Sequence, residues 1–192
     1  MNKTFKSFIE NHKGKVRIVE QTFSNEIISN ETLRSCTFRK LIFLNCSFDT
    51  VDFCQTSFQR CEFNGCTFDK VDFYGTSFPK CEFNGCTFDK VDLTRVEIEC
   101  SRFDNCKITN SNLNKSDFDE TSLNNCQFKQ ISLLEGFFTD CQINESDFED
   151  IDYRTAAVII DSQISKFDRS VNLKGAFTFD ALLNFINSWR IL

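Results

Sequence analysis

A large apolar residue stands at every fifth position of this chain, from Phe23 to Val158. The 28 positions of that series carry only Phe, Leu, Ile, Tyr or Val, and 17 of them are Phe. A period of five matches neither the 3.6-residue turn of an α-helix nor the two-residue alternation of a flat strand. The series therefore predicts a repeat architecture.

A second inward position precedes each large residue by two places. It carries a small or compact residue, such as Cys61 before Phe63 and Val71 before Phe73, and the other three residues of each unit are mostly polar. A longer period lies above this one, because residues 61–72 (CEFNGCTFDKVD) recur unchanged at 81–92. Four five-residue units thus make one coil, which predicts a coil of square section that stacks on the next.

Units such as CEFNG, CTFDK, VDFYG and SNLNK resemble those of the pentapeptide repeat family. The resemblance implies an all-β fold, a right-handed quadrilateral β-helix. With about 4.8 Å between stacked strands, we expect about seven coils, a rod roughly 34 Å long, and a ladder of Phe rings stacked face to face inside it.

The pattern divides the chain into three parts. We expect an N-terminal cap over residues 1–20, the β-helix over 21–160, and a last irregular coil with a C-terminal helix over 161–192. In the cap, residues 4–10 predict a short amphipathic helix or an irregular cover over the first coil. Near the other end, Gln163 and Asp168 interrupt the apolar series, and Thr178 is a candidate N-cap for a helix running to about Asn187.

The C-terminal segment VNLKGAFTFDALLNFINSWRIL resembles the ending of one branch of that family, the topoisomerase-targeting proteins that include the quinolone-resistance Qnr proteins and mycobacterial MfpA. The resemblance implies that two subunits join through this end into a homodimer. The residues it assigns to dimerisation are Leu182, Leu183, Phe185, Ile186 and Trp189. The projecting loops of the Qnr type have no counterpart in this sequence.

Eleven cysteines are present, and nine of them fall in the small inward slot, where Val, Thr and Ser also occur. We interpret them as buried apolar side chains in a reduced, cytoplasmic protein. Cys46, Cys66, Cys86, Cys106 and Cys126 are spaced by one coil and should form a column. Their side chains should point in parallel, so we expect neither disulfides nor a metal site.

No catalytic arrangement is recognisable. His12 is the single histidine, and there is no glycine-rich phosphate loop, HExxH or CxxC motif. The carboxylates lie on what should be a convex exterior. We therefore expect no enzyme activity and no cofactor. With no run of 18 apolar residues and no apolar leader, we also expect no membrane segment.

The negative charge is unevenly distributed: residues 1–40 carry +4, residues 41–160 carry −11 and residues 161–192 carry +1. The 20-residue period places acidic residues in columns with one carboxylate about every 4.8 Å. The columns that we single out as candidate partner-binding residues are Asp49, Asp69 and Asp89; Asp52, Asp72 and Asp92; and Glu62 and Glu82.

These columns, together with the resemblance of the C-terminal segment, indicate a double-stranded-DNA mimic. It would bind a type II topoisomerase (DNA gyrase or topoisomerase IV) and modulate it or protect it from inhibitors or toxins. It would not bind nucleic acid itself. The alternative is a structural or scaffold module with an unrelated protein partner. Neutralisation of the Asp columns by neighbouring Lys and Arg would favour that alternative.

Overall fold

The computed structural model describes residues 4–10, 17–152, 158–160 and 163–164. It contains one helix, α1 (Phe5–Glu10), and 22 short strands within this part of the chain. The first eleven strands are β1 (Arg17–Val19), β2 (Thr22–Ser24), β3 (Ile27–Ser29), β4 (Thr37–Arg39), β5 (Ile42–Leu44), β6 (Ser47–Asp49), β7 (Ser57–Gln59), β8 (Glu62–Asn64), β9 (Thr67–Asp69), β10 (Glu82–Asn84) and β11 (Thr87–Asp89).

The remaining strands are β12 (Glu97–Glu99), β13 (Arg102–Asp104), β14 (Lys107–Thr109), β15 (Asp117–Asp119), β16 (Ser122–Asn124), β17 (Gln127–Ser132), β18 (Phe137–Thr139), β19 (Gln142–Asn144), β20 (Asp147–Asp152), β21 (Val158–Ile160) and β22 (Gln163–Ile164). All pairings between them are parallel. As far as β20, each pairing joins positions that are one coil apart in the sequence, as in Phe43 with Phe63.

The strands lie on four faces of a rod of about seven coils. Face I carries β1, β4, β7, β12, β15, β18 and β21; face II carries β2, β5, β8, β10, β13, β16, β19 and β22; face III carries β3, β6, β9, β11, β14, β17 and β20. Face IV is formed mainly by isolated bridges from residue 32 to residue 132. This all-β solenoid confirms the predicted fold class.

Stacked phenylalanines form the centre of the rod. On face II, Phe63 and Phe83 lie with ring centroids 4.9 Å apart and planes 4° from parallel. Around one coil the rings meet edge to face instead, as in Phe58 and Phe63 at 5.6 Å and 69°. Each fully buried Phe contributes about 1.5–3 kcal/mol relative to an exposed side chain, so the ladder supplies one continuous core.

The small inward residues also act as hydrogen-bond donors. The hydroxyl of Thr76 donates to the carbonyl of Phe53 at 2.8 Å, and the thiol of Cys86 donates to the carbonyl of Phe63 at 3.2 Å. Each of these donors reaches the backbone carbonyl of a Phe in the preceding coil. Cys, Thr and Ser are therefore frequent in this slot because they are small and can donate.

Every edge of the rod carries a residue in the left-handed backbone region. Every fifth residue from Glu20 to Asp150 has a φ angle between 47° and 62°. Only three of these positions hold glycine, namely Gly65, Gly75 and Gly85, and residues such as Thr50 adopt the same conformation. This repeated requirement was not recognised in the sequence, because most of these positions hold other residues, among them Lys, Arg, Gln and Glu.

Helix α1 lies over the open end of the first coil. Phe5 is fully buried, with its ring 5.0 Å from Phe23 and 5.2 Å from Phe43. Thr4 caps the helix by accepting from the Ser7 N–H at 3.1 Å, and the Phe5 N–H donates to the Glu26 carboxylate at 2.7 Å. Burial raises the pKa of Glu26 above its ordinary value.

The register of the last strands differs from our expectation. Phe138 pairs with Ile159, and Ile143 pairs with Ile164, so these partners stand one place further apart in the sequence than one coil. An additional residue between Asp152 and Val158 explains the change. Assigning Val158 to the apolar series was therefore wrong by one place. The predicted C-terminal helix, with Leu182, Leu183, Phe185, Ile186 and Trp189, lies outside the described residues.

Candidate binding surface

The structure stacks the predicted acidic residues in vertical columns. Asp49, Asp69 and Asp89 are paired in register on face III, and Glu62 and Glu82 on face II. On face IV, isolated bridges join Asp52 to Asp72 and Asp72 to Asp92. The columns then change character, since Asp89 is followed by Thr109 and Lys129, and Asp92 by Asn112 and Ser132.

Neighbouring lysines partly neutralise the column on face III. Lys70 Nζ lies 2.9 Å from Asp69 Oδ2, and Lys90 Nζ lies 3.0 Å from Asp89 Oδ2. Asp89 also accepts from Asn110 at 2.6 Å and Thr109 at 2.8 Å. Hydrogen bonds from Asn110, Thr109 and Lys90 lower the pKa of Asp89 to about 2. Asp49 accepts from the Thr50 hydroxyl at 3.0 Å.

The column on face IV has a structural role of its own. Each carboxylate accepts a hydrogen bond from the backbone N–H two residues later: Cys54 to Asp52 at 3.0 Å, Tyr74 to Asp72 at 2.8 Å and Thr94 to Asp92 at 2.9 Å. These are Asx-turns, which hold the corner of each coil. Asp52 in addition forms an ion pair with Arg34. Asn112 caps the next corner in the same way, so the turn does not require a charge.

Charge per unit length separates the two halves of the rod. Residues 41–96 contain eight acidic and five basic residues, whereas residues 97–152 contain thirteen acidic and four basic residues. Each segment rises about 13 Å at about 4.8 Å per coil. The first therefore carries one net negative charge per roughly 4.5 Å of rod, and the second one per roughly 1.5 Å. The value for duplex DNA is one per about 1.7 Å.

Face I carries an acidic surface that sequence reasoning missed. Glu97 pairs in register with Asp117, and Glu99 with Asp119, which places four carboxylates on adjacent strands of face I. None of the four has a cationic partner within 4.0 Å among the described residues. Burial, Asp119 and Glu97 raise the pKa of Asp117. The signal was present as the alternation EIE and DFD, one coil apart in the sequence.

The thiols form no disulfide and no metal-binding site in the part of the chain that the structure describes. The eleven cysteines are present as thiols, and nine of them are buried. Burial raises the pKa of the Cys141 thiol to about 11, so it is protonated at neutral pH. No group of three or more His, Cys, Asp or Glu among the described residues could hold a metal ion. His12 lies outside those residues.

An open groove of about 550 Å³ lies along face IV, lined by polar side chains that include Lys90, Asp92, Asn112 and Ser132. Among the described residues that line this groove, no nucleophilic side chain is paired with a histidine or carboxylate base.

The part of the chain that the structure describes contains no helix with the length and hydrophobicity needed to span a membrane.

Two family models match the chain. Residues 56–132 match the model described as a pentapeptide repeat region, and residues 2–88 match the model of the SV2A/B/C luminal domain. The search of curated proteins gives no match.

Three solved structures are similar in outline. QnrB1, a plasmid-mediated fluoroquinolone resistance protein, is 18% identical, with 89% of this chain and 100% of that chain covered and a TM-score of 0.41. HetL, from Nostoc sp. strain PCC 7120, is 9% identical over 83% of this chain and 93% of that chain (TM-score 0.28). Rfr23, from Cyanothece 51142, is 8% identical over 78% and 91% (TM-score 0.25).

The match over residues 56–132 lies within the coils that pair at the 20-residue register on face II, which run from Thr22 to Asn144. The chain is thus similar, over residues 56–132, to the pentapeptide repeat region that the family model describes.

Proposed function

We propose that the protein is a mimic of double-stranded DNA that binds a type II topoisomerase, DNA gyrase or topoisomerase IV, in its basic DNA-binding groove. The observation that carries the proposal is the charge density of residues 97–152, a net −9 over about 13 Å of rod. A surface that matches the linear charge of a duplex can compete for a groove built to hold phosphates.

The contact surface that we favour is the second half of the rod. Glu97, Glu99, Asp117 and Asp119 present their charges without cationic partners in the described structure. The earlier columns make a smaller contribution, because Asp52, Asp69 and Asp89 are already ion-paired. Asp49, Asp72, Asp92, Glu62 and Glu82 remain proposed partner-binding residues that extend the same negative field.

The mode of action follows from rigidity as well as charge. The carboxylates sit on strands that are held by stacked Phe rings, so the protein presents them with little conformational entropy to lose on binding. The proposed homodimer through the C-terminal end would lengthen the rod. In this account the protein modulates the enzyme, or protects it from inhibitors, by occupying the site of DNA.

The specific test is a gyrase supercoiling assay with purified protein over a series of salt concentrations. Two variants that each remove four charges supply the comparison: Glu97→Gln/Glu99→Gln/Asp117→Asn/Asp119→Asn, and Asp49→Asn/Asp52→Asn/Asp69→Asn/Asp72→Asn. We expect the wild type to inhibit at low salt and the first variant to lose more potency than the second. Absence of any inhibition or gyrase binding at low salt would refute the proposal.

A scaffold module with an unrelated partner is the second candidate. The Asx-turns of Asp52, Asp72 and Asp92 favour it, since these carboxylates have a sufficient reason to exist within the fold. Under this alternative, recovery of binding partners with the intact protein would be insensitive to the four substitutions at Glu97, Glu99, Asp117 and Asp119.

A further inference from the structure

The edge between face I and face II carries a row of corner residues that, after Glu20, are basic in the first half of the rod and acidic in the second half. We call this the I/II edge row; it consists of the left-handed corner residues Glu20, Lys40, Arg60, Lys80, Cys100, Glu120 and Asp140. Three consecutive basic residues are thus followed, after Cys100, by two acidic ones. The acidic half continues onto face I through Glu99 and Asp119, which directly precede Cys100 and Glu120.

Most of these charges have no ionic partner within the chain. Arg60 and Lys80 have no carboxylate within 4.0 Å, and Asp140 has no cation within that distance, in the part of the chain that the structure describes. Lys40 is paired with Glu20 at 2.5 Å but keeps 45% of its side chain exposed. The edge therefore presents unpaired charges of both signs, separated into two halves.

We propose that this edge binds a second copy of the same chain, with the two rods side by side and antiparallel. In one alignment, Lys80 of the first copy lies level with Cys100 and Glu99 of the second copy. Arg60 of the first copy then lies level with Glu120 of the second, and Lys40 of the first with Asp140 of the second. A two-fold axis repeats each contact, as an isologous interface requires. Opposite charges then face each other at three levels on each side of the axis.

The row also disfavours the competing arrangement. Two rods side by side and parallel in register would place Lys40, Arg60 and Lys80 against themselves and Glu120 and Asp140 against themselves. Repulsion between like charges at every level would oppose that association. The sign reversal along the edge thus selects direction as well as partner.

The contact is small, so the association is weak and depends on salt. From Lys40 to Asp140 the row spans five coil steps, about 24 Å. A strip of that length and about 10 Å width covers roughly 240 Å² per copy, far below the roughly 800 Å² of a standard interface. Exposed ion pairs contribute little each and are screened by salt. We therefore expect reversible association that is strongest at low salt.

This proposed association does not depend on topoisomerase binding, but a second copy and a topoisomerase would compete for part of the same surface. The antiparallel pair covers Asp119, which belongs to the acidic surface of face I, and Glu120 next to it. A basic partner and a second copy could not occupy that part of the edge together.

Charge reversal at the central pair provides the test. Arg60→Glu and Glu120→Lys each place like charges opposite each other, so each variant alone should lose association by about tenfold or more. Mixing the two variants restores both contacts, because the introduced glutamate faces the introduced lysine while the native Arg60 faces the native Glu120. Corners of this row accept either charge in the left-handed conformation, as Glu20 and Lys40 show.

The measurement is sedimentation equilibrium of the full chain at low and high salt. Lys107→Glu, which makes the same change in net charge as Arg60→Glu but on face III, is the matched control and should behave as the wild type. All proteins are also compared in a Leu183→Asp background, which removes the predicted C-terminal dimer. Equal association of the mixture and of the single variants would overturn the proposal, as would a wild type that stays monomeric at low salt in that background.

Discussion

The thiol of Cys81 donates a hydrogen bond to the backbone carbonyl of Phe58 at 3.1 Å, a carbonyl that would otherwise lack a ladder partner. In a regular parallel ladder the N–H of residue 79 would donate to it, but Pro79 has no N–H. At this coil face I is divided into one sheet that ends at β7 and another that begins at β12, and isolated bridges of Ser77 join the two. At Cys66 the equivalent thiol contact to Phe43 is 3.5 Å, and β5 pairs in full with β8.

Cys81→Val should therefore destabilise the protein more than Cys66→Val. Valine fits the slot, as Val71 and Val91 show, but it leaves the Phe58 carbonyl without its donor at a cost of about 1–3 kcal/mol. Urea unfolding of both variants provides the measurement. Equal losses of unfolding free energy would show that the thiol is only a space-filling group.

Alanine substitutions of two glycines at left-handed corners should destabilise the protein to different extents. Gly85 has φ of 61° and open space where a Cβ would lie, so Gly85→Ala should cost about 1 kcal/mol from backbone strain alone. At Gly65 a Cβ would lie 2.6 Å from Asn45 Oδ1, so the Asn45 side chain must move and the cost of Gly65→Ala should be larger. Chemical denaturation of the two variants gives the comparison, and a smaller loss for Gly65→Ala would contradict it.

Where a β-branched residue occupies a left-handed corner, its replacement by asparagine should stabilise the protein. Thr50 has φ of 55°, and Thr50→Asn should gain some tenths of a kcal/mol because Asn tolerates this region. Thermal unfolding would measure it. A lower melting temperature would mean that the hydrogen bond from Thr50 to Asp49 outweighs the backbone strain.

The cap predicts a local effect at one end of the rod. Phe5→Ala removes a fully buried ring that contacts Phe23, Phe38, Phe43 and Phe48, and we expect a loss of about 3–5 kcal/mol in the stability of the first coil. Hydrogen exchange should accelerate first in β2 and β3. Phe8→Ala, at a half-buried ring of the same helix, should have a smaller effect; uniform acceleration along the rod would contradict a local cap.

Asp89 should make stability depend on pH in the acid range. Its folded pKa of about 2 lies below the ordinary value of 3.8, so its contribution is present above the ordinary value and is lost as pH falls through about 2. Asp89→Asn should flatten this part of the dependence of unfolding free energy on pH. Asp69→Asn is the control, because it removes a carboxylate that has a lysine neighbour but no contacts to Thr109 and Asn110. It should change the pH dependence of the unfolding free energy in the acid range less than Asp89→Asn does.

The inside of the rod could be predicted from the sequence because its geometry repeats in the letters. Phe63 and Phe83 are found stacked where the 20-residue period placed them. The left-handed corners could not be predicted in this way, because Lys70 or Arg60 gives no sign of a positive φ. The register shift before Val158 was hidden as well, since Val158, Ile159 and Ile160 are all apolar.

The surface was harder to predict than the core, for a physical reason. Identical repeats drew attention to Asp72 and Asp92, yet the Asx-turns explain why those residues repeat. The unpaired carboxylates of Glu97 and Asp117 occur in units that do not copy one another, so a search for repeated letters passes over them. These carboxylates are candidates because their strands pair in register and because they have no cationic neighbours in the described structure. Only the three-dimensional arrangement gives both of these facts.

The central claim is that the acidic second half of the rod competes with DNA for a basic groove. Displacement of a fluorescent duplex from DNA gyrase by the purified protein, followed by anisotropy at several salt concentrations, tests it most directly. We predict displacement by the wild type that weakens with salt. The Glu97→Gln/Glu99→Gln/Asp117→Asn/Asp119→Asn variant should be weaker by about tenfold or more, equivalent to about 1.4 kcal/mol. A duplex that stays bound at low salt, or is displaced equally by both proteins, would contradict the claim.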